Sequence, residues 1–109
     1  MEANKMKNHV DPKPSRVLPP GVTLQSELAA RNISIREFAR ILGRPQSFVT
    51  ELVAGRRLLT AETALQLEAA LEIPAGYWMN MESGYRLWKQ EPDQATSLEA
   101  IRGRARAIA

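Results

Sequence analysis

The sequence contains no cysteine and a single histidine, His9. Without thiols the chain can form neither a disulfide framework nor a thiolate metal site, and it has no cysteine nucleophile. The Asp and Glu residues show no spacing typical of metal ligands, and no nucleophile–base pair is evident. The sequence therefore argues against an enzyme such as a small nuclease, and we expect no metal, no cofactor and a solvated His9.

Long hydrophobic runs are also lacking. No apolar run of about 18 residues, the length that spans a membrane, is present, and the first residues lack the apolar stretch of a signal peptide. We therefore expect a cytoplasmic protein with no membrane contact. The formal net charge is only +3 over 109 residues, so any binding of nucleic acid must depend on where the arginines lie.

The chain divides into three segments by composition. Residues 1–19 mix polar residues with prolines and show neither helical nor strand periodicity, so we predict a flexible N-terminal arm. Residues 20–90 carry helical periodicity and predict one domain with a modest core. From residue 91 the chain turns polar, and we predict a C-terminal tail, 91–109, in which Ser97 caps a short basic helix weakened by Gly103.

Five segments of residues 20–90 have the apolar spacing of amphipathic helices, and none alternates like a strand. The first spans about Thr23 to Arg31. The second begins at Ile35, because Ser34 and Glu37 form a capping box at that point. The other three begin at Gln46, after Thr60 and at Pro74. We therefore predict an all-α, compact five-helix fold.

The second and third helices, within residues 34–57, have the pattern of a helix-turn-helix. Gly43 and Pro45 end the second helix. The inward positions are Ile35, Phe38, Ala39 and Leu42 on the second helix and Val49, Leu52 and Val53 on the third. The outward positions of the third helix are Gln46, Ser47, Thr50 and Glu51, with Phe48 at their flank. Short polar side chains on the outer face of such a helix are typical of major-groove readout.

Five arginines accompany these two helices. Arg36 and Arg40 lie four residues apart on the exposed side of the second helix. Arg44, Arg56 and Arg57 lie at the helix ends, where they would contact phosphates on either side of a groove; we call these three the arginine clamp. The alternative is an ordinary surface hairpin of two helices. The placement of the arginines favours DNA binding.

Large apolar side chains recur along the fifth helix, at Tyr77, Trp78, Met81, Tyr85 and Trp88. They either complete a core that is otherwise poor in aromatics or, in part, form a dimer interface, and both can hold. We predict a dimer interface, because a bulky group at every turn leaves more apolar area than four short helices cover. A two-fold dimer would present its two recognition helices to successive major grooves, about 34 Å apart.

A series of short motifs runs through residues 19–87. They are Pro20-Gly21, Leu24, Glu27-Leu28, Phe38-Ala39-Arg40, Leu42-Gly43, Pro45-Gln46-Ser47, Val49, Glu51-Leu52, Gly55-Arg56-Arg57, Leu59-Thr60-Ala61, Thr63-Ala64-Leu65-Gln66-Leu67 and Tyr77-Trp78-Met79-Asn80-Met81. In this order they resemble the HigA-type antitoxins, a branch of the Xre/Cro-like (lambda-repressor-like) helix-turn-helix proteins. The most specific part is the last motif with Tyr85 behind it, which generic phage-repressor-like domains lack.

The resemblance implies a five-helix domain that forms a homodimer, binds palindromic double-stranded operator DNA and represses its own operon. It also implies neutralisation of a RelE-like (HigB-like) ribosome-dependent mRNA endonuclease toxin encoded beside it. The outer side of the first helix, with Gln25, Glu27 and Arg31, and the arm before it are candidate toxin contacts, unless those side chains form only a solvated face. The alternative function is a stand-alone Xre-family repressor without a toxin partner.

The resemblance also assigns roles on the recognition helix. Gln46, Ser47, Thr50 and Glu51 match its base-reading positions, and the arginine clamp would bind the DNA backbone. A Gln pairs bidentately with adenine. Phe48 either contacts a thymine methyl or is a partly buried packing residue. Glu51 either accepts a hydrogen bond from cytosine or pairs with a neighbouring arginine, because its charge repels phosphates.

Four residues depart from the family pattern. Pro19 stands where many relatives have His, Val22 where many have Glu, Ala54 where Asn is common, and Arg86 where Asp often follows the Tyr. We expect the loop before Arg56 to be held differently without the Asn. The other three changes bear on packing or on the partner face.

Overall fold

A computed structural model of the protein describes residues 17–108, which contain five α-helices and no strand. The helices are α1 (Pro20–Ala30), α2 (Ile35–Leu42), α3 (Gln46–Val53), α4 (Ala61–Leu71) and α5 (Ala75–Ile108). The predicted all-α, five-helix fold is confirmed. Residues 1–16, which make up most of the predicted flexible arm, lie outside the described residues.

Side chains cap the starts of α2 and α4 as the sequence predicts. The Ser34 hydroxyl accepts the Glu37 amide at 3.0 Å, and the Glu37 carboxylate accepts the Ser34 amide at 2.9 Å. The hydrogen bond with the Ser34 backbone, and to a lesser extent the one with its side chain, holds the pKa of Glu37 below its usual range. The stability that these bonds contribute is therefore lost as the pH falls through that lowered pKa. Thr60 caps α4 by accepting the amide of Thr63.

The first three helices end in one and the same way. Asn32, Gly43 and Gly55 each adopt a positive φ after the last turn. In each case the amide of the following residue bonds back five residues, as Arg56 does to the Glu51 carbonyl at 2.9 Å. This is the Schellman arrangement. Gly55 therefore ends α3 without the Asn that is common at position 54 in the family. The chain changes direction at Gly55, immediately before Arg56 and Arg57.

The core lies where the five helices meet. α1 packs on α3 and α5, α2 on α3 and α4, and α4 on α5. The buried apolar residues are Leu24, Leu28, Phe38, Ala39, Phe48, Val49, Leu52, Leu59, Ala64, Leu67, Leu71 and Trp78. The inward positions predicted for the second and third helices all belong to this core: Phe38, Ala39, Val49 and Leu52 are buried, and Ile35, Leu42 and Val53 pack at its edge.

The first helix begins earlier than the predicted Thr23. Pro20 occupies its first turn, where a missing amide and a fixed φ favour helix formation. Pro20 and Gly21 are buried there, because the start of α1 lies directly against the end of α3. A Cβ at Gly21 would overlap the carbonyl groups of Leu52 and Val53.

The prediction that a C-terminal tail with its own short helix, capped by Ser97, begins at residue 91 is wrong. α5 continues through Pro92 and Gly103 to Ile108. Pro92 removes one backbone donor, but the following residues favour helix formation, and Glu99 pairs with Arg102 at 3.0 Å and with Arg106 at 3.5 Å. Residues 92–108 are exposed apart from the half-buried Leu98, so this part of α5 extends away from the core.

Within residues 17–108 no helix is both long enough and apolar enough to cross a bilayer. The same part of the chain contains no group of three His, Cys, Asp or Glu side chains arranged to hold a metal ion.

Candidate nucleic-acid interface

The outer face of α3 carries the predicted polar side chains. Gln46, Ser47 and Thr50 are exposed, while Val49 and Leu52 on the opposite side are buried. The Thr50 hydroxyl donates to the Gln46 carbonyl at 3.1 Å, so its hydrogen is already used within the helix. Thr50 therefore offers a ligand its methyl group and oxygen lone pairs, whereas Gln46 and Ser47 keep both donors and acceptors.

Arg44, at the start of the recognition helix, is held by α4. Its Nε donates to Gln66 Oε1 at 3.3 Å, and its Nη2 lies 3.5 Å from Glu62 Oε2. Its guanidinium carbon also lies 4.2 Å from the centroid of the Phe48 ring. Arg44 is therefore half-buried and oriented before any ligand binds.

Arg57, after the end of the same helix, has a comparable set of contacts. Its Nη2 and Nε donate to Glu51 Oε1 at 2.8 and 3.2 Å, and its guanidinium carbon lies 4.6 Å from the Phe48 ring centroid. The prediction that Glu51 pairs with a neighbouring arginine is confirmed. Because both side chains are about 40% exposed, at 42% and 41%, the pair is weak enough for a phosphate to compete with it.

The remaining arginines of the site face solvent. Arg56, the third member of the arginine clamp, makes no side-chain hydrogen bond or ion pair with any residue from 17 to 108. Arg36 and Arg40 lie on the exposed side of α2, as their spacing predicts. Three guanidiniums are therefore available for an anion without disrupting an existing pair.

Phe48 is a buried packing residue, which corrects its assignment as a base-contacting side chain. Only 6% of it is exposed, because its position on α3 turns the ring towards the core. The Arg44 and Arg57 guanidiniums lie over the part of the ring that does not face the core. A thymine methyl has no free surface of Phe48 to contact.

The residues predicted for a dimer interface fall into two groups. Trp78 is 0% exposed in the monomer, so it belongs to the core and has no surface to offer a partner. Its assignment to the interface is wrong, because its position on α5 turns it inward. Tyr77, next to it, is 52% exposed, and Met81, Tyr85 and Trp88 are half-buried.

Arg86, one of the departures from the family pattern, has a local partner. Its Nε lies 2.7 Å from Glu82 Oε2, and the Glu82 side chain is only 8% exposed. A buried carboxylate needs such a partner. An Asp at position 86 would repel Glu82, so the basic residue is required by the acidic one a turn earlier.

The candidate toxin contacts on α1 have structural partners. Arg31 donates from Nη2 to the Leu71 carbonyl at 2.9 Å and pairs with Glu27 at 3.4 Å. Arg31 thus ties the end of α1 to the end of α4. Gln25 is exposed on another side of α1.

Sequence reasoning missed the two α4 residues that hold Arg44, Glu62 and Gln66. They lie 18 and 22 positions further along the chain. Neither residue has a spacing signal that links it to the recognition helix. Only the packing of α4 on α2 brings them to the site.

A protein-family model described as helix-turn-helix matches residues 24–78 of this chain. The chain is also 32% identical to an uncharacterized helix-turn-helix-type transcriptional regulator of Escherichia coli, YddM, over 87 residues that cover 80% of this chain and 84% of that regulator. Both matches include α2, α3 and the arginines that flank them.

Solved structures share the fold. The antitoxin HigA of Pseudomonas aeruginosa, solved with the higBA promoter, superposes with a TM-score of 0.73 at 29% identity, covering 78% of this chain and 94% of that one. An addiction-module antidote protein of the HigA family from Coxiella burnetii superposes with a TM-score of 0.72 at 28% identity over the same fractions. The part of this chain outside these superpositions is about a fifth of its length.

Proposed function

This chain belongs to the helix-turn-helix family of DNA-binding regulators, in its HigA-type antitoxin branch, and we propose that it neutralises a RelE-like mRNA endonuclease and, as a dimer, represses its own operon. The observation that carries the DNA-binding part is the outer face of α3. It presents Gln46, Ser47 and Thr50 between arginines at both ends of the helix.

On DNA, α3 enters the major groove with this face towards the base edges. Gln46 is the strongest candidate for base readout, because its free amide can donate to and accept from adenine at once. Ser47 and Thr50 contact neighbouring base edges. The arginine clamp, with Arg36 and Arg40 beside it, contacts phosphates and sets the depth and register of the helix.

Arg56 provides the cleanest test of the phosphate contacts, because no other described residue holds its side chain. Arg56→Ala should lower the slope of log affinity against log salt by about two units for the dimer, about one for each half-site, since each neutralised phosphate releases about 0.9 counterion. The measurement is operator binding by fluorescence anisotropy across a salt series.

The matched control is Arg104→Ala, which removes the same charge from the exposed end of α5. It should leave the slope unchanged. If Arg56→Ala keeps the wild-type slope, or if both variants lower it equally, Arg56 does not contact a phosphate.

The dimer is proposed to form through the α5 stripe without the buried Trp78, that is, through the exposed Tyr77 and the half-buried Met81, Tyr85 and Trp88. Tyr85 and Trp88 have ring centroids 6.3 Å apart and form one aromatic surface. The adjacent Leu87 is 64% exposed and adds apolar area. A two-fold dimer built on this face fits a palindromic operator with half-sites about one helical turn apart.

Neutralisation is proposed to use the folded helical surface and not a tail that orders on the toxin. The support is that α1 and the part of α5 before residue 91 are already helical and carry exposed side chains, so no ordering cost arises on binding. We expect protection from the adjacent RelE-like toxin to persist when residues 1–16 or, separately, residues 91–109 are deleted. The measurement is growth of cells that co-express the toxin with each truncated form.

Circular dichroism and operator binding would be used to check that each truncated form is folded. Return of toxicity with a folded, DNA-binding form would place the toxin contact in the deleted segment. If the neighbouring reading frame encodes no toxin, the chain is instead a stand-alone Xre-family repressor.

A further inference from the structure

Two guanidiniums from opposite ends of the recognition helix meet at one aromatic ring. Arg44 precedes α3 and Arg57 follows it, yet their guanidinium carbons lie 4.2 and 4.6 Å from the centroid of Phe48. The electron-rich face of an aromatic ring attracts cations at this distance. Phe48 is therefore the one side chain of α3 that contacts both of these arginines.

The other contacts of the two arginines repeat the same pattern. Each guanidinium directs its Nε and Nη2 towards polar partners, which are Gln66 and Glu62 for Arg44 and Glu51 for Arg57. Within residues 17–108 neither uses its Nη1 in a hydrogen bond or ion pair. One face of each cation thus contacts Phe48, one edge contacts a polar side chain, and the Nη1 edge stays free for an anion.

We propose that Phe48 is a positioning residue for phosphate binding, holding the Arg44 and Arg57 guanidiniums at a fixed spacing beside the base-reading face. This inference rests on the proposed DNA-binding function. Free arginine side chains lose rotamer freedom when they bind a phosphate, and side chains ordered beforehand lose less. The ring reads no base itself, but it sets the orientation of the two groups that fix the register of α3 on the DNA.

Glu51 and Glu62 alone would not orient the two arginines equally well for phosphate binding. Each carboxylate attracts its arginine but also repels an approaching phosphate. The ring holds both cations without carrying a charge, so it orients them at no electrostatic cost to DNA binding. Its burial keeps it fixed, because a core side chain has one well-defined rotamer.

The test is the operator affinity of Phe48→Leu, which keeps an apolar side chain in the core but removes the ring face. We expect affinity to fall about four- to twenty-five-fold for each half-site, because each of the two cation–π contacts at a partly exposed site corresponds to a factor of about two to five. The salt slope should stay at the wild-type value, since the same phosphates are still contacted. Phe48→Tyr, which keeps the ring face, should bind like the wild type.

Leu52→Val is the matched control for a weakened core. It shortens another buried side chain of α3 that contacts neither arginine through a ring face. Leu52→Val should lower the thermal-unfolding midpoint. Its operator affinity, measured at a temperature well below that midpoint, should stay close to wild type. If Phe48→Leu does not fold, Phe48→Met replaces it, because the flexible Met side chain fills core space without a ring.

The same Phe48→Leu substitution is also made in a protein that already carries Arg44→Ala and Arg57→Ala. Phe48→Leu should have no further effect on affinity there. A folded Phe48→Leu protein that binds operator like the wild type, or that loses as much affinity in this background as in the wild type, would overturn the positioning role. If the two arginine substitutions themselves leave affinity unchanged, they are not phosphate contacts, and both the clamp and this inference fail.

Discussion

Replacing Trp78 with alanine should lower the free energy of unfolding by about 3–5 kcal/mol. The indole is 0% exposed and is the largest fully buried side chain of the core, so its removal leaves a cavity that the surrounding side chains close only in part. A domain of this size has roughly 5–15 kcal/mol of stability in total. The variant should therefore be largely unfolded or unfold at a far lower urea concentration, as measured by circular dichroism.

The matched variant is Tyr85→Ala with Trp88→Ala, which changes the half-buried aromatic surface proposed for the dimer. It should stay folded but sediment as a monomer, because truncating aromatic anchors weakens an interface more than it weakens the fold. A Trp78→Ala protein as stable as the wild type would contradict the core assignment. A folded double variant that remains dimeric would place the interface elsewhere.

Gly21→Ala should also destabilise the domain by several kcal/mol, on the order of 3 or more. A methyl group at this position would overlap the carbonyl oxygens of Leu52 and Val53 and lie 2.8 Å from the Val53 carbonyl carbon. These are backbone atoms at the end of α3, so relief requires α1 and α3 to move apart. The movement would also displace the loop that carries Arg56 and Arg57, so operator affinity should fall with stability.

Gly76→Ala is the control for this substitution. Gly76 lies in the first turn of α5 with no atom within 4 Å of an added Cβ, so the change should keep or raise stability by up to about 1 kcal/mol. Thermal unfolding of both variants decides the matter. A Gly21→Ala midpoint within a degree or two of wild type would show that α1 and α3 tolerate a wider spacing.

Several features follow from residues within a few positions of one another. Ser34 and Glu37 form the cap that starts α2, and Gly43 and Gly55 take the positive φ that ends α2 and α3. Helix starts and stops depend on local hydrogen bonds of this kind, so the sequence alone predicts them. The outward direction of Gln46 and Ser47 follows equally from helical periodicity.

The length of α5 is a case in which local signals misled. The polar composition from Glu91 and the cap candidate Ser97 predict a tail with a separate short helix, which Gly103 weakens. The structure retains one helix, in which Glu99 pairs with arginines three and seven residues further on. A single missing backbone donor in a long helix costs less than ending it would, so a proline there is a weaker signal than its local effect suggests.

The sequence by itself determined the five helices up to residue 90, the inward stripes of α2 and α3, the polar outer face of α3 and the resemblance to HigA-type antitoxins. Only the tertiary structure decided that Trp78 is core while its neighbour Tyr77 is exposed, that Phe48 packs beneath two arginines, and that α4 holds Arg44. The physical reason is the distance along the chain between the residues that interact. Periodicity and caps depend on residues within one or two helical turns, whereas the burial of a particular ring or the partner of a particular guanidinium depends on which helices pack together.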